Sequence, residues 1–169
     1  PGPVGNVRPP KTNASILTPP STAALNNSTG RLALYTRGNV TLLDRDDQGH
    51  YAVTGETRLD GEERQPVVMA FGGSTILLGR QDGRVQAFDA TTFEERMSTS
   101  PEGPNQVRFI NASPDGRWFA VLLHNGNLWM YDAAAKSLAL APVAGQGGIS
   151  GATFSDSGQL YVADQAVRV

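Results

Sequence analysis

The chain has 169 residues, with 14 Lys+Arg against 16 Asp+Glu for a net charge of -2, and 39% of it is apolar. That is about one domain, with enough apolar material for a core, and the scattered cations argue against nucleic acid as the main partner. The absence of cysteine removes disulfides, thiol nucleophiles and thiolate metal sites.

No apolar run approaches the roughly 18 residues of a membrane span, and no secretory leader is legible. A chain that opens on Pro1 rather than Met reads as a processed or excised piece. Residues 1–13 are rich in Pro and Gly and read as a flexible linker.

From residue 14 to 169 the chain is expected to be one repeat domain. Gly30, Gly73, Gly116 and Gly158 each precede an apolar run, at spacings of 43, 43 and 42 residues. An apolar residue followed by Asp closes the next run at Leu43-Asp44, Phe88-Asp89 and Tyr131-Asp132. Two marks with one period predict a repeated supersecondary unit.

The runs are short and rich in β-branched and aromatic residues, and Arg37-Gly38, Asp82-Gly83 and Asn125-Gly126 punctuate them as hairpin turns. No long window keeps a helical period, so essentially no helix is expected. Each unit then resolves into four antiparallel strands. The first unit is 15–18, 23–26, 31–37 and 39–45, and the second is 50–58, 67–71, 75–80 and 84–90. The third is 95–100, 107–111, 118–124 and 127–133, and the fourth is 137–142, 150–154, 159–163 and 166–169. The fold class is all-β: a propeller or partial propeller of four blade repeats.

The stretch Ser113-Pro114-Asp115-Gly116-Arg117-Trp118-Phe119-Ala120-Val121, followed by Asn125-Gly126-Asn127-Leu128-Trp129-Met130-Tyr131-Asp132, resembles a WD40-type β-propeller blade. The resemblance covers residues 14–169. It is of a degenerate, bacterial type, because Leu43, Phe88 and Tyr131 stand in place of the Trp of the family's Trp-Asp pair. In such a frame Ser15-Ile16-Leu17-Thr18 could close a four-bladed ring against Ala166-Val167-Arg168-Val169. The favoured expectation is instead half of a larger propeller, completed by a further segment or by a second copy. Trp118, Phe119, Trp129 and Tyr131 are expected to fill the gaps between blades.

Candidate chemistry is sparse. His50 and His124 are the only histidines and have no third ligand at metal spacing, so no zinc site is expected. Neither a Gly-x-Ser-x-Gly elbow nor a phosphate-cradling loop is present. Asp44-Arg45-Asp46-Asp47-Gln48-Gly49 resembles the first half of a calcium loop but lacks the closing carboxylate, since Gly55 stands at position twelve. Capping and turn roles are the competing reading there. No catalytic residue, metal or cofactor is assigned, and the chain is expected not to be an enzyme.

The function expected is a non-enzymatic scaffold for protein or peptide binding, with contacts on loops held by rigid sheets. The binding face comprises Arg37, Arg64, Gln81, Asp82, Glu102, Gln106, His124 and Gln146, within a wider polar rim that includes Asp60 to Gln65, Asn105 and Asn125. The alternative is an extramembrane sensor or gating domain of a bacterial transporter. Val53-Thr54-Gly55-Glu56-Thr57 and Phe71-Gly72-Gly73-Ser74-Thr75-Ile76-Leu77-Leu78-Gly79, with Asp82-Gly83-Arg84-Val85, are similar to the propeller-like insert of large phosphate-type ABC permeases. That resemblance implies a periplasmic or other extramembrane place; otherwise the compartment stays open.

Overall fold

The computed structural model describes residues 22–59, 66–143 and 146–164. The linker at 1–13, the strand expected at 15–18 and the one expected at 166–169 lie outside them. The described residues form fourteen β-strands and no helix.

The first sheet is β1 (Thr22–Leu25), β2 (Leu32–Thr36), β3 (Asn39–Arg45) and β4 (Tyr51–Arg58). The second is β5 (Pro66–Gly72), β6 (Thr75–Arg80), β7 (Val85–Asp89) and β8 (Glu95–Thr99). The third is β9 (Val107–Ala112), β10 (Trp118–Leu123), β11 (Leu128–Asp132) and β12 (Ser137–Leu140), and β13 (Ile149–Phe154) and β14 (Leu160–Asp164) make the fourth. Within every sheet the strands lie in chain order and pair antiparallel.

The four repeated units are present, but the sheets begin one strand later than the sequence units. The strands expected to head the second, third and fourth units are β4, β8 and β12, and each pairs with the last strand of the unit before it. Short turns explain the shift. The β3–β4, β7–β8 and β11–β12 turns are tight, and antiparallel strands joined by a tight turn become neighbours. Longer connections, such as the one from β8 to β9, cross to the next sheet.

The leading strands β1, β5, β9 and β13 pack against one another in succession, so the sheets follow each other as propeller-type blades. Three apolar cores fill the gaps. Ala33, Tyr35, Val40 and Leu42 of the first sheet meet Phe71, Ile76, Leu78 and Phe88 of the second. Leu77, Val85 and Ala87 meet Phe119, Val121 and Tyr131. Ala120, Leu122 and Leu128 meet Ile149 and Ala152.

This layering accounts for the uninterrupted apolar runs. In Trp118–Leu123 the residues Phe119, Val121 and Leu123 face back while Ala120 and Leu122 face forward. A strand covered on both faces has no reason to alternate with polar residues.

Of the four aromatics expected in the gaps, Phe119 and Tyr131 are fully buried and meet edge to face at 5.9 Å. Trp129 packs against the second core while half-buried. Trp118 does not join a core cluster. It lies half-buried under the Arg117 guanidinium, 5.1 Å from its ring, because its strand position precedes the enclosed portion of β10.

Candidate functional site

Successive turns alternate between the two ends of a sheet, so the β2–β3, β6–β7 and β10–β11 hairpins share one end with the connections between sheets. The β2–β3 turn is Arg37-Gly38, with φ of 48° and 87°. Positive φ at both residues gives the turn whose twist matches the strands. Its carbonyl at Gly38 accepts from Leu59 N at 2.8 Å, at the start of the connection to the next sheet.

The β10–β11 turn repeats that crossing with two bonds. Gly126 has a φ of 82°, and its carbonyl accepts from Gly147 N at 3.2 Å and Ile149 N at 3.3 Å. A Cβ on Gly126 would stand 2.7 Å from the Gly147 carbonyl oxygen, so only glycine lets the two backbones meet.

Glu102, in the connection from β8 to β9, is the organising group here. Its carboxylate accepts from Trp129 Nε1 at 2.9 Å, from Asn127 Nδ2 at 2.8 Å, from Asn105 Nδ2 at 3.4 Å and from Asn125 Nδ2. Burial pushes the Glu102 carboxyl up, but the donors from Trp129, Asn127, Asn125 and Asn105 together outweigh it and hold the group below its ordinary value. One carboxylate thus ties an inter-sheet connection to the neighbouring hairpin.

Gln146 has a similar role at the following sheet. Its Oε1 accepts from Leu128 N at 2.8 Å, and its Nε2 donates to Ala141 O at 2.8 Å and Leu128 O at 3.3 Å. The side chain stands in for a strand partner.

The remaining candidates divide by exposure. Asp82 Oδ1 accepts from Arg84 N at 3.1 Å within the β6–β7 turn. Gln106 is half-buried, and its carbonyl accepts from His124 N at 2.8 Å. Arg37, Gln81 and His124 are exposed, and each opens the hairpin of its own sheet. Arg64 and the rest of Asp60 to Gln65 lie outside the described residues. Sequence reasoning misses Asn127 and Trp129 as members of this end, although Asn127 follows Asn125 by two residues and so shares its side of the turn.

A polar thread, buried at Arg80 and Gln86, runs from this end towards the other. Arg80 is 2% exposed, its Nε donates to Gln86 Oε1 at 2.6 Å, and Gln86 Nε2 donates to Glu95 Oε2 at 2.7 Å. It crosses β6, β7 and β8 in turn.

The acidic turn lies at the opposite end of the first sheet. Asp44 pairs with Arg31. Asp46 Oδ1 accepts from His50 N at 2.8 Å and Gln48 N at 2.9 Å, and the His50 backbone contact is the main cause holding its carboxyl low. The turn is held by Asp46 rather than by Asp44, the residue expected to cap the strand end, which instead pairs with the Arg31 guanidinium. Asp89 and Asp132, by contrast, accept from the backbone N–H groups of the next turn and pair with Arg96 and Arg117. Among the described residues no group of three or more His, Cys, Asp and Glu could hold a metal ion. His50 and His124 sit at opposite ends of the sheets.

A cavity of about 220 Å³ lies along β1, β5 and β9, lined by residues that include Asn26, Phe71, Asn111 and Ser113. Asn26 Nδ2 donates to Gly73 O at 2.8 Å and Asn111 Nδ2 to Ala152 O at 2.9 Å, so each amide stitches its sheet to the next. Among the described residues no ionisable side chain lines this cavity.

Among the described residues no helix is long and apolar enough to cross a membrane. No family model matches the chain, and no curated protein matches it. Solved structures do: 1020 chains match, a breadth that makes the fold too widely shared to select a function. One is hydrazine synthase of Kuenenia stuttgartiensis, with a TM-score of 0.64 and 18% identity over 89% of this chain. The chain spans 43% of the length of that enzyme chain, and at this identity the likeness is one of fold alone.

Proposed function

We propose that the chain is a non-enzymatic propeller-type scaffold whose hairpin end binds a polar protein or peptide. The observation that carries the reading is the row Arg37, Gln81 and His124, exposed at the opening corner of three successive hairpins. Beneath the row, Glu102 and Gln146 tie the hairpins and connections of the third sheet together. A rigid base lowers the cost of ordering the contact residues on binding.

Arg37 adds support. It keeps a φ of 48° where Asn or Gly is the ordinary choice, at a cost of about 1 kcal/mol for a side chain bearing Cβ. A guanidinium, an amide and an imidazole suit a partner rich in carboxylates and backbone carbonyls.

Selection of displayed peptides on the chain tests this. Selected peptides should lose about tenfold or more in affinity for the R37A/Q81A/H124A variant, whose circular dichroism should be unchanged because all three side chains are exposed. Peptides that bind the variant as well as the parent would sink the reading.

A further inference from the structure

The sequence holds a single Asn-Gly pair, Asn125-Gly126, and the fold places it in the β10–β11 hairpin. In such a pair the main chain can attack the side-chain amide, because glycine has no Cβ to obstruct its own nitrogen. Asn125 is exposed, so water reaches it and ammonia can leave.

The reaction balances with water as its sole co-reactant. The Gly126 nitrogen loses its proton and bonds to Asn125 Cγ, the Cγ–Nδ2 bond breaks, and Nδ2 departs as ammonia with that proton. Water then opens the cyclic imide at one carbonyl or the other. One opening leaves Asp on the ordinary backbone; the other leaves isoaspartate, with Cβ inserted into the main chain. Nothing is oxidised or reduced.

The folded hairpin restrains each reacting group. Gly126 N donates to Leu123 O at 3.0 Å. Asn125 Oδ1 accepts from Asn127 N at 3.0 Å, and Asn125 Nδ2 donates to Glu102 Oε2. The first two bonds belong to the turn itself. The third comes from the connection between β8 and β9, 23 residues away in sequence. With Oδ1 and Nδ2 both held, Cγ is not free to swing onto the Gly126 nitrogen. The Glu102 charge adds to this, because a neighbouring carboxylate disfavours the anionic nitrogen that attacks.

The same contact makes the product consequential. The amide lost is a donor to Glu102, and the carboxylate that replaces it puts a like charge in its place. Isoaspartate also lengthens the main chain beside Gly126, whose carbonyl accepts from Gly147 N and Ile149 N at the crossing to the fourth sheet.

We propose that Asn125 is a deamidation site held shut by Glu102. The closed contact spares the amide; once it opens, Asn125 converts to Asp or isoaspartate and the hairpin is untied from the β8–β9 connection. This modification stands apart from the peptide-binding reading, since it needs no partner.

Incubation of the full chain at mildly alkaline pH tests the proposal, with conversion read by mass spectrometry of the tryptic peptide Trp118–Lys136. The chain unfolded in urea should convert at Asn125 about tenfold faster than the folded chain or more, because unfolding removes the restraint. Glu102→Gln should convert about fivefold or more faster than the parent while circular dichroism shows the fold retained. Ile76→Val, which weakens the first core away from this turn, should convert at the parent's rate. Asn125→Asp carries the product's charge on an unaltered backbone and should unfold at lower denaturant than the parent at neutral pH. A folded chain as fast as the unfolded one, a Glu102→Gln variant no faster than the parent, or an Ile76→Val variant as fast as Glu102→Gln would each overturn the restraint. An unchanged midpoint for Asn125→Asp would overturn the untying.

Discussion

The second and fourth sheets are built from the same repeat and differ in what covers them. Every residue of β6 in the second sheet is buried, whereas β14 in the fourth is exposed at alternate positions and at its end. The second sheet has a packed neighbour on each side; among the described residues the fourth has one, against which Val162 and Leu160 pack. The apolar character of a strand states how much of it can be buried. Which face is buried depends on the adjoining sheet.

Truncation should separate the two regions most sharply. Phe119→Ala empties a fully enclosed site between the second and third sheets and should cost about 3–5 kcal/mol in chemical denaturation. Tyr161→Ala, on the open face, should cost under about 0.5 kcal/mol. Equal losses would mean that the fourth sheet is as enclosed as the second.

A pair of glycines sharpens the same contrast. A Cβ on Gly79 would stand 2.4 Å from Val107 Cγ1 of the next sheet, whereas one on Gly151 would meet Ala163 Cβ at 4.0 Å. The Val107 Cβ at 2.7 Å and Val68 Cγ2 at 2.9 Å crowd the same point, so Gly79→Ala should destabilise by about 1–3 kcal/mol, while Gly151→Ala should be near neutral.

Electrostatics differ between the regions as well. Glu102→Gln weakens the hydrogen bonds from Trp129, Asn127, Asn125 and Asn105 and should cost about 1–2 kcal/mol at neutral pH. Because the folded carboxyl titrates below its ordinary value, its contribution is present above that value and is lost as pH falls through the lower folded one. The parent should lose stability over that acid interval, and the Gln variant should show a shallower loss.

One substitution should be a gain. The buried Tyr131 hydroxyl has no hydrogen-bond partner among the described residues, and burial raises its pKa. Phe88 fills the equivalent place of the second sheet, so the site accommodates a bare ring. Tyr131→Phe should stabilise by about 1 kcal/mol, and a loss would show that the hydroxyl is satisfied in solution.

Strand positions were legible because they depend on local chemistry. Gly38, Gly83 and Gly126 mark the hairpins by allowing positive φ, and the apolar runs between them have no helical period. The candidate site was only partly legible. Arg37, Gln81 and His124 follow from their turns, since the first residues of a tight hairpin face solvent. The roles of Glu102 and Gln146 did not follow, because their partners lie across connections of 18 to 27 residues.

The amino-acid sequence by itself determined the period near 43 residues, the all-β class and the hairpins, each set by turn residues and side chains within a few positions of one another. The tertiary structure alone decided which strand opens each sheet, that Trp118 stays outside the cores, and that Glu102 is spent on the scaffold. Those outcomes depend on which sheet lies beside which, and such long-range packing is not encoded in the period of any one segment.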